Sequence, residues 1–432
     1  MANCGSVTAM TLLAALRSGQ FVGATRLDLR ADLTKLPDEL QALAATLEIL
    51  DISGNRLHEL PEWLGQFSRL RIIFASGNRF TELPRVLGRL PVLEQIGFRA
   101  NLLTAVPAES LPLTLRWLIL TGNALTALPE ALGDCQHLRK CALAGNRLSV
   151  LPERMQQCRE LELLRISANA LREIPDWLSS LPRLSWLAYA ANAGAPPLPV
   201  ADLPPMSWSG LQVGRIVGDG ASGVVHGALS PAGASLAVKV FKGALTSDGL
   251  PESELAAAVA AGSHSHLIGA EAVLTGHPSG AAGLVMSLLA DGWRRLAGPP
   301  SLESCTRDIY PADFHLTLEQ ARAIGRGIAG AVAHLHARGL LHGDVYAHNI
   351  LWDGQGHACL GDFGAASALL AGVAGDRLAR LEVRALGCLL EELLTRVRDD
   401  KVPGWMWELQ RSCISERVED RPTAAAIGSA LA

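Results

Sequence analysis

Several things are scarce in this chain. Lysine is nearly missing: of 38 basic residues five are lysines, namely Lys35, Lys140, Lys239, Lys242 and Lys401. The eight cysteines (4, 135, 141, 158, 305, 359, 388 and 413) form no CxxC pair, which argues against a zinc knuckle or a dense disulfide framework and favours a reducing compartment. No run of about 18 apolar residues occurs, so no membrane span is expected. The apolar stretch Val7 to Leu16 has no basic residue before it and reads as an amphipathic capping helix rather than a leader. The net charge of −4 is too small for an electrostatically driven nucleic-acid binder. Hydrophobic residues make up 49% and charged residues 19%, which excludes a disordered chain. The 432 residues exceed the roughly 250–300 at which one core stops growing, so two or more units are expected.

The first half contains a repeat. Asparagines stand at 55, 78, 101, 123, 146, 169 and 192, spaced by 22 or 23 residues. Around them runs one template, Leu47-x-x-Leu50-x-Ile52-x-x-Asn55-x-Leu57-x-x-Leu60-Pro61, repeated as Leu138-x-x-Cys141-x-Leu143-x-x-Asn146-x-Leu148-x-x-Leu151-Pro152. Proline follows each of the first six asparagines by six residues, and Asp32 holds the asparagine position of an earlier imperfect copy. The pattern resembles the leucine-rich repeat. It implies an α/β solenoid of about eight repeats over residues 25–193, behind a helical cap over residues 1–24. The alternating apolar positions of each short strand enter a shared interior, and the Asn amide can satisfy backbone groups where the chain bends. Side chains left on the strand face, Ile72, Phe74, Arg99, Trp117, Ile119, Leu163 and Trp186, are expected to form an apolar docking patch for a protein or for the chain's own second half, although single aromatics there could equally fill ridges between repeats. Residues 194–210 hold five prolines without apolar periodicity and read as an extended linker.

From residue 211 the pattern changes. Ile216-Val217-Gly218-Asp219-Gly220-Ala221-Ser222-Gly223-Val224-Val225 is a GxGxxGxV between apolar runs, a turn that lets backbone N–H groups approach phosphate oxygens but is weak evidence alone. Lys239 ends the apolar run Leu236-Ala237-Val238, an unusual place for a lysine in a chain with so few. His342-Gly343-Asp344-Val345-Tyr346-Ala347-His348-Asn349 has HxDxxxxN spacing, and Asp362-Phe363-Gly364 begins 18 residues beyond Asp344. Together these motifs resemble the protein kinase family over residues 211–432, and the whole chain resembles a leucine-rich-repeat protein kinase. Glu382-Val383-Arg384-Ala385-Leu386-Gly387 and Arg421-Pro422 resemble later family segments.

The resemblance implies an α+β bilobal domain that uses ATP and Mg²⁺. Lys239 would be the cation on the phosphates, Asp362 and Asn349 the metal ligands, and Asp344 the group that orients and deprotonates the acceptor hydroxyl. Glu254 is expected to pair with Lys239, with Glu252 as the alternative. The glycine-rich residues 216–225 and Ala237 would surround the nucleotide, Met286 would be the gatekeeper, and Ser287, Leu288 and Leu289 would meet adenine. Departures also matter. Gly343 replaces the arginine that reads a phosphorylated activation loop in many members, and Tyr346 replaces the lysine that serine/threonine kinases direct at the γ-phosphate. Only 20 positions separate Asp362 from Glu382, with no APE triplet between them, so the docking part of the activation segment is largely missing and Arg421 loses its usual carboxylate partner. Ser367 is the one hydroxyl there, expected to be solvated. The expected function is a cytoplasmic Ser/Thr protein kinase whose repeats recruit substrate or regulate the kinase domain. The alternatives are a small-molecule phosphotransferase of the aminoglycoside or choline type and a pseudokinase scaffold.

Overall fold

The computed structural model describes residues 14–198, 202–220, 222–243, 245–398 and 401–432. Its contacts divide the chain into two compact units, Met1–Leu164 with Asn169–Glu173, and Arg165–Ala168 with Ile174–Ala432. The division falls inside the repeat array, so the end of the array belongs to the same unit as the second half of the sequence. Residues 14–17 are helical, and the rest of the expected capping helix lies outside the described residues.

The repeats build an eight-stranded parallel sheet in sequence order: β1 (Arg26–Asp28), β2 (Ile49–Asp51), β3 (Ile72–Phe74), β4 (Gln95–Gly97), β5 (Trp117–Ile119), β6 (Lys140–Ala142), β7 (Leu163–Arg165) and β8 (Trp186–Ala188). Each repeating proline starts a 3₁₀ turn, as Pro61 does before Glu62–Gln66. A proline suits that place because it fixes φ and its missing N–H is not needed. Leu50, Ile52 and Leu57 are fully buried, as their template predicts. The asparagines work as expected from their amides. Asn55 Nδ2 donates to the carbonyls of Leu29 and Ile52, both at 2.8 Å, and its Oδ1 accepts from the N–H groups of Ala31 (3.1 Å) and Leu33 (3.0 Å). The residue before the asparagine is left-handed, glycine in four repeats (54, 77, 122, 145) and alanine at 100, 168 and 191.

The expected apolar patch is much reduced. Ile72, Leu163 and Trp186 are buried, Phe74, Trp117 and Ile119 are half-buried, and Arg99 is exposed. Neighbouring strands account for several of these. Ile72 stands between Ile49 and Gln95 in the ladder, the Phe74 ring covers Gly97, and Lys140 Nζ lies 4.2 Å over the Trp117 ring.

In the other unit, β9 (Pro205–Ser207) pairs in parallel with β13 (Ala270–Thr275), so part of the segment expected to be a linker is a strand. It joins β10 (Gln212–Asp219), β11 (Gly223–Leu229), β12 (Ser235–Phe241) and β14 (Gly283–Ser287) in a six-stranded sheet of order β10-β11-β12-β14-β13-β9. Val238 and Val285, fully buried, centre its core with Leu236 and Leu274. Helix α1 (Pro251–Ala261) follows β12. The helical lobe comprises α2 (Leu318–Ala337), α3 (Gly372–Leu394), α4 (Gly404–Cys413) and α5 (Ala424–Ala430). Short strands β15 (Arg294–Arg295), β16 (Leu340–Leu341), β17 (Ile350–Trp352), β18 (Ala358–Leu360) and β19 (Ser367–Ala368) carry the loops that reach the cleft. Among the described residues no helix is long and apolar enough to cross a membrane.

Candidate active site

A cleft of about 720 Å³ opens beneath the β10–β11 hairpin. That is a volume suited to a small ligand. Val217, Gly218, Val225, Ala237, Lys239, Glu254, Met286, Ser287, Leu288, Leu289, Asn349 and Asp362 line it. A smaller hollow beside it is lined by Asp219, Gly220, Ser222 and Gly223, again with Lys239 and Asp362. Of the other residues picked out in the sequence, Ile216 is exposed, Val224 on β11 and Asp344 are half-buried, and none of the three lines either space; Ala221 lies outside the described residues. The hairpin turn closes with Gly220 N–H donating to Gly223 O at 3.0 Å. A Cβ on Gly223 would stand 2.7 Å from Val240 O, so the close approach of β11 to β12 requires glycine.

Strand β12 delivers Lys239, paired on β14 with Leu284 and on β11 with Val225. Its Nζ forms an ion pair with Glu254 of α1, while Glu252 on the same turn is exposed. Burial pushes the Glu254 carboxyl up to about 7, against the pull of Lys239. Asp362 Oδ1 is 3.9 Å from Lys239 Nζ and accepts from Gly364 N–H at 3.2 Å. Asp362 is itself left-handed, with φ 61°, a strained backbone for a residue with a Cβ.

The loop between β16 and β17 carries Asp344 and Asn349. Asn349 Nδ2 donates to Asp344 Oδ2 at 2.7 Å and to the Asp344 carbonyl at 3.0 Å, which leaves Asn349 Oδ1 as its candidate metal ligand. Burial raises the Asp344 carboxyl above its usual range, with Arg165 acting in the opposite direction. Glu382 of α3 holds the start of this loop. Its Oε1 accepts from Gly343 N–H at 2.6 Å, and its Oε2 accepts from His342 N–H at 3.3 Å and pairs with His336 Nε2 at 2.8 Å.

The departures from the kinase pattern acquire physical reasons. Gly343 has φ 76°, and a Cβ there would sit 2.5 Å from Ala365 O and 2.6 Å from Leu187 O, so no side chain fits where the arginine would stand. Tyr346 is buried with its ring stacked on Trp186. Arg421, fully buried, donates to the carbonyls of Pro182 (2.6 Å), Ser415 (2.9 Å) and Arg380 (3.2 Å) in place of a carboxylate, and burial lowers its guanidinium to about 10. Ser367 is buried rather than solvated: its Oγ accepts from Tyr189 N–H at 3.0 Å. The sequence reading missed Arg165, which pairs with both Asp344 and Asp248, and His348, whose ring bonds Asp308 Oδ1 at 2.7 Å. Arg165 ends a repeat strand as an ordinary surface arginine would, so no local signal marked it.

The protein kinase domain model matches residues 211–382, and the Leucine Rich Repeat model matches residues 46–67. The chain is 46% identical over 54 residues to the serine/threonine-protein kinase US3 homolog of Gallid herpesvirus 2 (strain GA), covering 12% of this chain and 13% of the viral protein. It is 38% identical over 58 residues to the serine/threonine-protein kinase US3 homolog of Bovine herpesvirus 1.2 (strain ST), covering 13% of this chain and 12% of that protein. The chain thus spans about an eighth of the length of the curated relatives it matches. The chain carries a protein kinase domain over residues 211–382 and a leucine-rich repeat over residues 46–67.

Proposed function

We propose that this chain is a Ser/Thr protein kinase that transfers the γ-phosphoryl group of Mg-ATP to a protein hydroxyl, with its repeats recruiting the substrate or regulating the kinase domain. The observation that carries the reading is the assembly at one cleft of the Lys239–Glu254 pair, Asp362 at 3.9 Å from that lysine, and Asn349, whose amide holds Asp344 just behind the lining at 2.7 Å. Phosphoryl transfer asks a protein for positioning and charge neutralisation, and these groups provide both. Lys239 takes the phosphate charge and Glu254 fixes its direction. Asp344, held by Asn349, orients the acceptor hydroxyl and receives its proton.

The donor set fits Mg²⁺: Asp362 and Asn349 offer two oxygens at the cleft and leave the remaining positions to phosphate and water, the arrangement this ion favours. When bound it neutralises phosphate charge. The spacing of the cysteines supports a cytoplasmic setting. Incubating the full chain with γ-labelled ATP, Mg²⁺ and either casein or kanamycin tests the acceptor class. Label on casein or on the chain itself supports a protein kinase. Label confined to kanamycin overturns it in favour of a small-molecule phosphotransferase, and nucleotide binding without any transfer overturns it in favour of a scaffold.

A further inference from the structure

The compact unit that contains the cleft also contains Arg165–Ala168 and the eighth repeat. We propose that Arg165 is a positioning residue for Asp344, brought there because the end of the repeat array stands in for the missing part of the activation segment. The inference rests on the protein-kinase reading.

Arg165 has a side chain only 3% exposed and uses its whole fork. One Nη pairs with Asp344 Oδ1, the other donates to Gly343 O at 3.0 Å, and Nε donates to Asp248 Oδ1 at 2.7 Å. Both Asp344 oxygens are therefore held, one by Arg165 and one by Asn349, which fixes the plane of the carboxylate. A planar guanidinium does this where a point-like ammonium could not. Asp248 lies in the loop that leads into α1, so the same side chain ties the catalytic loop to the helix that bears Glu254. Two cations expected near Asp344 are absent, since Gly343 and Tyr346 stand in their places, and Arg165 restores one from a distant part of the sequence.

The eighth repeat is fastened where the deleted segment would lie. Trp186 Nε1 donates to Val345 O at 3.0 Å, Tyr189 Oη donates to Ala368 O at 2.6 Å, and Arg384 donates to Ser185 Oγ at 2.9 Å. Arg421, which lacks its carboxylate, donates to Pro182 O. The Lys239–Glu254 pair is formed alongside these contacts, and Arg165 is not among the residues that line the cleft. It acts through Asp344 rather than on the nucleotide, in a site already assembled.

The test uses the full chain over a range of Mg-ATP concentrations up to saturation, with ADP formation and labelling of casein as readouts and melting temperature as the control for folding. Arg165→Ala is expected to lower kcat about 10- to 100-fold, the scale of a misplaced catalytic group, with KM for ATP changed by less than about twofold. Guanidinium at millimolar concentration is expected to restore part of that rate in Arg165→Ala and none in Asp344→Asn. Arg165→Lys keeps a cation but lacks the planar fork, and is expected to give a kcat between those of wild type and Arg165→Ala. Turnover in Arg165→Ala equal to or faster than wild type overturns the proposal and identifies the contact as neutral or inhibitory. Should Arg165→Ala not fold, Arg165→Lys decides alone, and an unchanged kcat overturns the proposal. A wild-type chain that binds nucleotide but neither hydrolyses it nor transfers phosphate shows that the kinase reading has failed, and the role of Arg165 falls with it.

Discussion

Trp186 lies flat on Tyr346, with ring centroids 4.2 Å apart and planes 10° from parallel. Both rings are buried, one from a repeat strand and one from the loop between β16 and β17. Such a stack adds to the area each ring removes from water. Trp186→Ala is therefore expected to cost about 3–5 kcal/mol, the range for emptying a large aromatic site. Chemical denaturation of the full chain measures it, and a loss under about 1 kcal/mol would show that the stack bears little of the load. Truncating the chain after the array is accordingly no neutral way to isolate the kinase domain, because it also removes Trp186 and Tyr189.

Gly343 makes a sharper test of the close fit between that repeat and the loop. Its positive φ and the carbonyls of Ala365 and Leu187, 2.5 and 2.6 Å from a Cβ, allow no side chain. Gly343→Ala is expected to cost about 2–5 kcal/mol from backbone strain and overpacking together, and to lower transfer by displacing Asp344. A variant with wild-type melting and wild-type kcat would contradict the placement of this loop.

Glu382 gives a pH signature. Burial acts to raise its carboxyl, but the bonds from His336 and Gly343 hold it below the usual 4.5. A depressed folded value means that its stabilisation is present above the unfolded value and is lost as pH falls through the folded one. Glu382→Gln is expected to lower the denaturant midpoint by a similar amount at every pH above about 4.5, with the gap to wild type closing below it. A gap that widens in acid would reverse the sign of this account. Glu382→Ala, which strands two buried N–H groups, is expected to cost about 3–5 kcal/mol at pH 7.

Glu254 predicts an activity profile. With its carboxyl pushed up to about 7 by burial, the partner of Lys239 is neutral at lower pH and becomes anionic as pH rises through that value. The kcat/KM for Mg-ATP is expected to fall on the acid side of about pH 7, and Glu254→Gln to flatten that limb at a reduced overall rate. An acid limb unchanged in the variant would assign the titration to another group.

Much of this architecture is legible in the amino acids because single residue types answer single physical needs. The recurring asparagine is the side chain whose amide can bond three or four backbone groups at once, and its spacing exposes the solenoid. Lys239 stands out because lysine is rare and the run before it is apolar. What could not be read is long-range. Arg165 looks like any arginine on a strand face until Asp344, 179 residues away, is placed against it. Trp186 and Leu163 carry the pattern of an open face yet are buried, because periodicity reports which way a side chain points and not what covers it. The glycine at 343 reads as a lost arginine, whereas the fold shows a position with no room for one.

The central claim is that Lys239 and Asp344 serve one phosphoryl-transfer reaction in this cleft. Single-turnover transfer from γ-labelled Mg-ATP, with nucleotide affinity measured separately on wild type, Lys239→Met and Asp344→Asn, tests it most directly. The account predicts that Asp344→Asn loses about 10²- to 10⁴-fold in transfer rate while binding nucleotide as wild type does, and that Lys239→Met also loses transfer. Transfer undiminished in Asp344→Asn would contradict it.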